Sequence, residues 1–222
     1  MKQMDLARQA YADGKFMEAF DIWLPIAEQG DAEAQAWIGS LYANGEGVDG
    51  DDQAALTWYE RAAKQGYAMA QANVGANYFL ARGTKKDVAK AIKWLSAAAE
   101  HGDLNGLFNL AVLYSKGEGV EKDDKRAAEL YEKAAKCGHY PSQSRLGYMY
   151  ARGQGVEKDR VRAYLWLSLA AQHGIGNALD ALESVVNGMS AEEKAQGVHL
   201  FEQWRSMSGS KDDQVALNPM PS

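Results

Sequence analysis

Cysteine is nearly absent: Cys137 stands alone in 222 residues, so no internal disulfide can form and nothing marks an oxidising compartment. Long apolar runs are missing too. The opening MKQMDLARQAYADGKFMEAF lacks the unbroken stretch of roughly seven or more apolar residues that a secretory signal requires, and a membrane span requires far more. No membrane insertion is expected. The cytoplasm is the expected compartment, or the periplasm if an upstream leader has been removed. There is no excess of positive charge. A formal charge of -6 excludes a general nucleic-acid binder, which needs a concentrated basic face, and Lys85-Lys86 is too short a cluster to reverse that. Prolines number only four, while apolar residues reach 46%, enough to fill a core and to exclude wholesale disorder.

What the chain does have is repetition. Gly30, Gly66, Gly102, Gly138 and Gly174 recur every 36 residues, and Tyr42, Tyr78, Tyr114 and Tyr150 keep the same interval. So do Gly47, Gly83, Gly119 and Gly155, the aspartates Asp51, Asp87, Asp123 and Asp159, and alanine pairs from Ala62-Ala63 to Ala170-Ala171. The register defines four full units, 31–66, 67–102, 103–138 and 139–174.

Each unit reads as two helices. Ala34, Ile38, Gly39, Leu41 and Tyr42 recur at helical spacing in the first half, and Ala55, Trp58, Tyr59, Ala62 and Ala63 in the second. A glycine loop joins them, NGEGVDGDD in the first unit. The glycine after each second helix suits a left-handed turn, and Asp51, Asp123 and Asp159 stand where a carboxylate caps a helix. Helix pairs at a period in the thirties predict an all-α fold, an α-solenoid in which each unit buries its apolar face against its neighbours.

On AQANVG, LGYMYARGQGVEKD and RAAELYEKAAKCG, the array resembles Sel1-like repeats, the longer-looped relatives of tetratricopeptide repeats. The resemblance covers residues 31–174 and implies a curved superhelix of helix-turn-helix units. One unit departs from it: LARGTKKD has Ala81 where the others carry Gly45, Gly117 and Gly153, so its loop is expected to bend differently. Residues 4–30 resemble an ordinary tetratricopeptide hairpin. Beyond 174 one further helix is expected. A closing helix then opens on a Ser190–Glu193 capping box and turns Val198, Phe201 and Trp204 to one face. Residues 1–207 are read as a single repeat domain with 175–207 as its C-terminal cap, and 208–222 as a mobile tail.

Chemistry of catalysis or metal binding is sparse. A phosphate loop needs one specialised turn between strand and helix, whereas this glycine loop occurs four times with no strand predicted. Asp49, Asp51 and Asp52 lack EF-hand spacing. His101, His139, His173 and His199 show no zinc-ligand pattern and read as exposed turn or helix residues. Some Sel1-like proteins have been described as β-lactamases, but the only S-x-x-K, Ser208 to Lys211, falls in the expected tail. No catalytic residue, cofactor or metal site is expected. Trp58, Trp94 and Trp166, with Leu130 in the remaining unit, form one packing column.

Recognition is expected where the columns change chemistry. Trp37, Asn73, Asn109 and Arg145 form one such column, just before Ile38, Val74, Leu110 and Leu146. The family resemblance implies that first helices line a concave groove and that Asn73 and Asn109 hydrogen-bond the backbone of a bound peptide, since an amide donates and accepts at once. Arg145 and Arg152 suit a carboxylate held by two parallel hydrogen bonds. The lysines of a full carboxylate clamp are missing. Asn77 interrupts an otherwise apolar column; a polar group buried there without a partner costs roughly 1–3 kcal/mol. Phe79, Phe108 and Tyr148 lie near the same face as apolar contacts. The expected function is a non-enzymatic adaptor that binds a protein or peptide in this groove; the alternatives are a hydrolase of the β-lactamase-like type or a cell-envelope scaffold.

Overall fold

The computed structural model describes residues 3–208, and among them there are twelve helices and no strand. The first pair is α1 (Gln3–Ala12) and α2 (Phe16–Glu28). Four longer-looped pairs follow: α3 (Ala32–Asn44) with α4 (Asp52–Lys64), α5 (Ala68–Leu80) with α6 (Val88–Glu100), α7 (Leu104–Lys116) with α8 (Asp124–Lys136), and α9 (Tyr140–Arg152) with α10 (Arg160–Gln172). Then come α11 (Ala178–Asn187) and α12 (Ala191–Ser208). The expected tail and Lys211 of the S-x-x-K match lie outside the described residues. This is an all-α repeat fold. It divides into two compact units, one running to Asn109 and the other starting at Leu110, so that the cut falls within α7.

In the first unit, the helices of a pair approach closely because the first helix presents a glycine. A Cβ at Gly39 would come within 2.8 Å of the Tyr59 ring, and one at Gly75 within 2.6 Å of Leu95. Asp51 accepts hydrogen bonds from Gln53 and Ala54, and Asp87 from Lys90, capping α4 and α6. The loop before each second helix reaches back onto the preceding pair: a Cβ at Gly83 would overlap the Asp52 carbonyl at the start of α4. Closeness to that backbone, together with a φ of +65°, requires glycine there. The loop is thus a spacer that seats one pair on another.

The Ala81 loop does not bend differently. Ala81 adopts φ 60°, ψ 34°, beside 67°, 32° at Gly45 and 72°, 34° at Gly153. The backbone geometry is held constant, and the alanine is forced into the left-handed region that favours glycine.

A buried glutamine column joins successive pairs. Gln35 and Gln71 are each 5% exposed, and their amides donate to the Ala27 and Ala63 carbonyls. These are last-turn carbonyls of α2 and α4 (Ala27 and Ala63 end those helices' apolar faces), which lack a full set of intrahelical partners. Gln65 donates in turn to the Gln35 oxygen at 2.9 Å, and His101 Nδ1 lies 2.9 Å from that of Gln71.

The second unit repeats this construction. Gly147 packs on Leu167, Gly155 lies against the Asp124 carbonyl, and Asp123 and Asp159 cap α8 and α10. Gln143 donates to the Ala135 carbonyl, but its own oxygen is buried without a partner. His173, in register to supply that bond, instead stacks on Tyr140 with ring centroids 3.5 Å apart. At the end of the unit, α12 meets α10 through Trp204 on Trp166 and Gly197 on Tyr164. The Ser190–Glu193 capping box forms in both directions. Val198 does not join that contact; it is 43% exposed.

Candidate functional site

In the first unit the variable column starts inside the core. Trp37 is only 1% exposed and stacks on Trp23 at 4.6 Å, with the tilted Tyr11 ring centred 4.9 Å away. The hairpin of α1 and α2 covers it, so Trp37 packs the first repeat onto that hairpin and cannot present its ring to a partner. Its indole nitrogen lies 3.4 Å from a Glu33 oxygen, which is also held by Arg8 at 2.6 Å.

One repeat later the position opens. Asn73 is half-buried on α5 between the fully buried Ala72 and Val74, and its amide nitrogen contacts Met69 Sδ at 3.2 Å. Its amide oxygen has no such engagement. Asn77, one turn on, is 9% exposed, so it sits nearly within the apolar layer instead of standing out from it. Phe79 is half-buried and packed on the core, and the Lys86 amine lies 4.6 Å above its ring. Leu80 ends the helix 56% exposed. The sequence held a signal for Leu80: its column reads Asn44, Leu80, Lys116, Arg152, and only here is it apolar. Phe108 and Asn109 are half-buried on α7, flanked by Leu107 and Leu110 at 5% and 4%. Nearby, Asp103 caps Gly106, and its burial raises its carboxyl above the usual range against that hydrogen bond. Burial likewise pushes the Tyr67 phenol up to about 12.

In the second unit, Arg145, Tyr148 and Arg152 follow one another along one face of α9, while Leu146, Gly147, Met149 and Tyr150 face inward. Both arginines are exposed. Tyr148 is half-buried, its hydroxyl donates to the Asn177 carbonyl at 2.9 Å, and the Arg152 guanidinium lies 6.0 Å from its ring. Below this face, burial pushes the Tyr131 phenol up to about 12, and the charge of Arg145 acts against that rise.

Histidine departs from expectation at one place. His101 and His173 are exposed, but His139 is half-buried at the start of α9, its Nδ1 2.7 Å from Ser142 Oγ. Burial holds its pKa down at about 4, so the ring is neutral near pH 7. The contact has the composition of a nucleophile and its base, yet Ser142 is 0% exposed, beyond the reach of any substrate. Among the described residues no group of three or more His, Cys, Asp or Glu could hold a metal ion, and no helix is long and apolar enough to cross a membrane.

A family model described as Sel1 repeat matches residues 32–67, 68–103, 105–139 and 141–175. Among solved structures, the chain is similar to c5321, a protective antigen of uropathogenic Escherichia coli strains that displays an SLR fold. The TM-score is 0.83 at 29% identity, over 99% of this chain and 50% of that one. It is similar also to a Sel1 repeat protein from Oxalobacter formigenes, with TM-score 0.69 and 35% identity over 77% of this chain and 49% of that one. The chain therefore spans about half the length of each of these two proteins. The immunity protein Pa5087 from Pseudomonas aeruginosa shares the fold alone, with TM-score 0.55 and 19% identity over 97% of this chain and 90% of that one. No curated protein matches the chain.

Proposed function

From its membership of the Sel1 repeat family, to which this chain belongs and whose repeats generally act as protein–protein interaction modules, we propose that it is a non-enzymatic adaptor that binds a protein or peptide along the outward face of its first helices. One observation carries this reading. At one repeat position, each time followed by a buried packing residue (Val74, Leu110 and Leu146), Asn73 and Asn109 are half-buried and Arg145 is exposed. The stack does not need these side chains, and they are polar where they meet solvent. In the first unit Phe79, Phe108 and Leu80 add apolar surface on the helices that bear the two asparagines, and in the second unit Tyr148 adds it on the helix that bears Arg145. Amides with rings in the first unit, and cations with a ring in the second, are each what an extended main chain and its side chains require of a binding surface. Asn77, at 9% exposure, acts from the wall of that surface, and Trp37 acts only as its support. The cytoplasm is the proposed compartment, supported by the exposed free thiol of Cys137.

The test is paired affinity capture, with wild type and an Asn73→Ala/Asn109→Ala variant whose helical melt is unchanged. The expected result is a partner retained by wild type, lost by this variant, and retained by a control on an exposed second-helix position, Lys93→Ala. Retention of every partner by both baits refutes the assignment of the binding face. Turnover of a small-molecule substrate abolished by one substitution refutes the non-enzymatic reading.

A further inference from the structure

The first helices differ in charge in a regular order. The one charged residue of α3 is Glu33, α5 has none, α7 has Lys116, and α9 has Arg145 and Arg152, giving -1, 0, +1 and +2. Lys116 is already engaged by Glu118 at 3.6 Å. The two arginines of α9 have no carboxylate in ion-pair reach among the described residues, whereas Arg160 and Arg162, on the next helix, each have one, at 3.6 and 3.4 Å. A chain of formal charge -6 thus keeps two unneutralised guanidinium groups on one helix that has no acid of its own.

Their spacing is informative. Arg152 lies seven positions after Arg145, about 10 Å along the axis, and two turns of helix return them to one face. Tyr148 stands between them, its hydroxyl fixed by the Asn177 carbonyl and its ring flanked by Arg152. The surface is therefore cation, ring, cation. In a polyproline-II chain, three residues rise about 9 Å and complete one turn, so side chains at i and i+3 project to the same side at nearly this separation. A β-strand does not match, because its i and i+3 side chains point to opposite faces.

Resting on the peptide-binding reading above, we infer that the α9 face of Arg145, Tyr148 and Arg152 selects an acidic segment of the partner, one with two carboxylate side chains three residues apart in an extended chain. Each guanidinium takes one carboxylate, and the Tyr148 ring supports the intervening residues. Arginine suits this task because its planar fork matches both carboxylate oxygens. Recognition is of internal acidic side chains and does not need a chain terminus.

The experiment uses the full chain and fluorescein-labelled dodecapeptides with either a Glu-x-x-Glu or a Gln-x-x-Gln core, read by fluorescence anisotropy at low and at physiological salt. Wild type is expected to prefer the Glu core by about tenfold at low salt, and less at higher salt, as screening of partly exposed pairs requires. Arg145→Gln/Arg152→Gln should remove the preference, and Arg145→Glu/Arg152→Glu should transfer it to a Lys-x-x-Lys core. Both positions are exposed, and an unchanged helical melt confirms that each variant folds. Equal binding of Glu and Gln cores by wild type overturns the inference, as does failure of both cores to bind. An arginine-dependent preference for a thymidine oligonucleotide or for phosphatidylserine vesicles over the Glu peptide also overturns it. If the Gln core binds as well as the Glu core and Asn73→Ala/Asn109→Ala weakens both, the peptide-binding reading stands and only the acidic selectivity falls.

Discussion

Replacing Ala81 by glycine should stabilise the protein, an unusual direction for a substitution that deletes a methyl group. Ala81 ends α5 at φ 60°, and it is the one non-glycine residue with positive φ among the described residues. Left-handed backbone costs an L-residue roughly 1–2 kcal/mol through the clash of Cβ with the following carbonyl. Glycine escapes that strain, but its unfolded chain is freer by roughly 0.4–1 kcal/mol. The difference leaves a net gain of about 0.5–1 kcal/mol. Crowding contributes little, because a Cβ at the equivalent Gly45 would have its nearest neighbour 3.5 Å away, in ordinary contact. For a chain of this size the gain raises Tm by about 1–4 °C. Thermal and urea unfolding followed by circular dichroism measure it. Hydrogen exchange of the α5 and α6 amides localises it, a useful control because repeat arrays do not always unfold in one step. The matched variant Gly153→Ala, at φ 72° with Lys158 Cβ 3.3 Å from the new methyl, should lose at least as much as Ala81→Gly gains. If Ala81→Gly leaves Tm unchanged or lowers it with the same urea dependence, strain at Ala81 is not what distinguishes this loop.

Gly83→Ala should be among the most damaging changes in the chain, costing roughly 3 kcal/mol or more, because the methyl group meets the Asp52 carbonyl from a left-handed backbone; urea unfolding near the wild-type midpoint would sink the spacer role of the loop. The second concerns pH: His139 is held at about 4 against an ordinary 6.5 by burial, so the unfolded chain binds the extra proton first. Stability from this site is then full above about 6.5 and falls as pH drops toward about 4, by roughly 1–3 kcal/mol for a half-buried ring, and His139→Gln should flatten this part of a stability–pH curve measured by denaturation. Third, Gln35→Leu should cost roughly 1–2 kcal/mol more than Gln143→Leu, because Gln35 both donates to Ala27 and accepts from Gln65, while the Gln143 oxygen is already without a partner; equal losses by calorimetry would refute the second-layer bond.

The register made the helices legible because each element is specified by short-range rules that repeat: an aspartate that caps, a glycine that turns, and apolar residues at helical spacing. The capping roles of Asp51, Asp123 and Asp159 and the box at Ser190 needed no knowledge of neighbours, and all are formed. Burial was less legible, since it depends on what lies across the interface. His139 shares a register position with Asp31, Tyr67 and Asp103. A histidine after a helix-ending glycine reads as a surface turn, but packing draws this one half inside. The buried glutamine column was written at intervals of 36 from Gln35 to Gln71 and of 72 to Gln143, with Leu107 between. It is not legible as a buried column, because a polar residue in a helix reads as surface until its partner, a carbonyl eight residues earlier in each case, is known.

The candidate site shows the same boundary at one column. Trp37, Asn73, Asn109 and Arg145 occupy equivalent backbone places, so a repeat alignment assigns them one role. In the first repeat that place is covered by Tyr11 and Trp23 of the N-terminal hairpin, a neighbour of different length and composition from a Sel1 unit. An aromatic residue there gains more from burial than from display, and Trp37 accordingly seals the start of the array. Where the preceding unit is another repeat, the place is not filled in this way, and its side chains become amides and then a guanidinium. A column that varies therefore mixes two causes, a changed structural neighbour at the end of the array and freedom from packing within it. Exposure separates them: 1% at Trp37 against an exposed Arg145. Only the second kind of variation is available to encode a partner, and it is on Asn73, Asn109 and Arg145 that selection for binding could act without disturbing the stack.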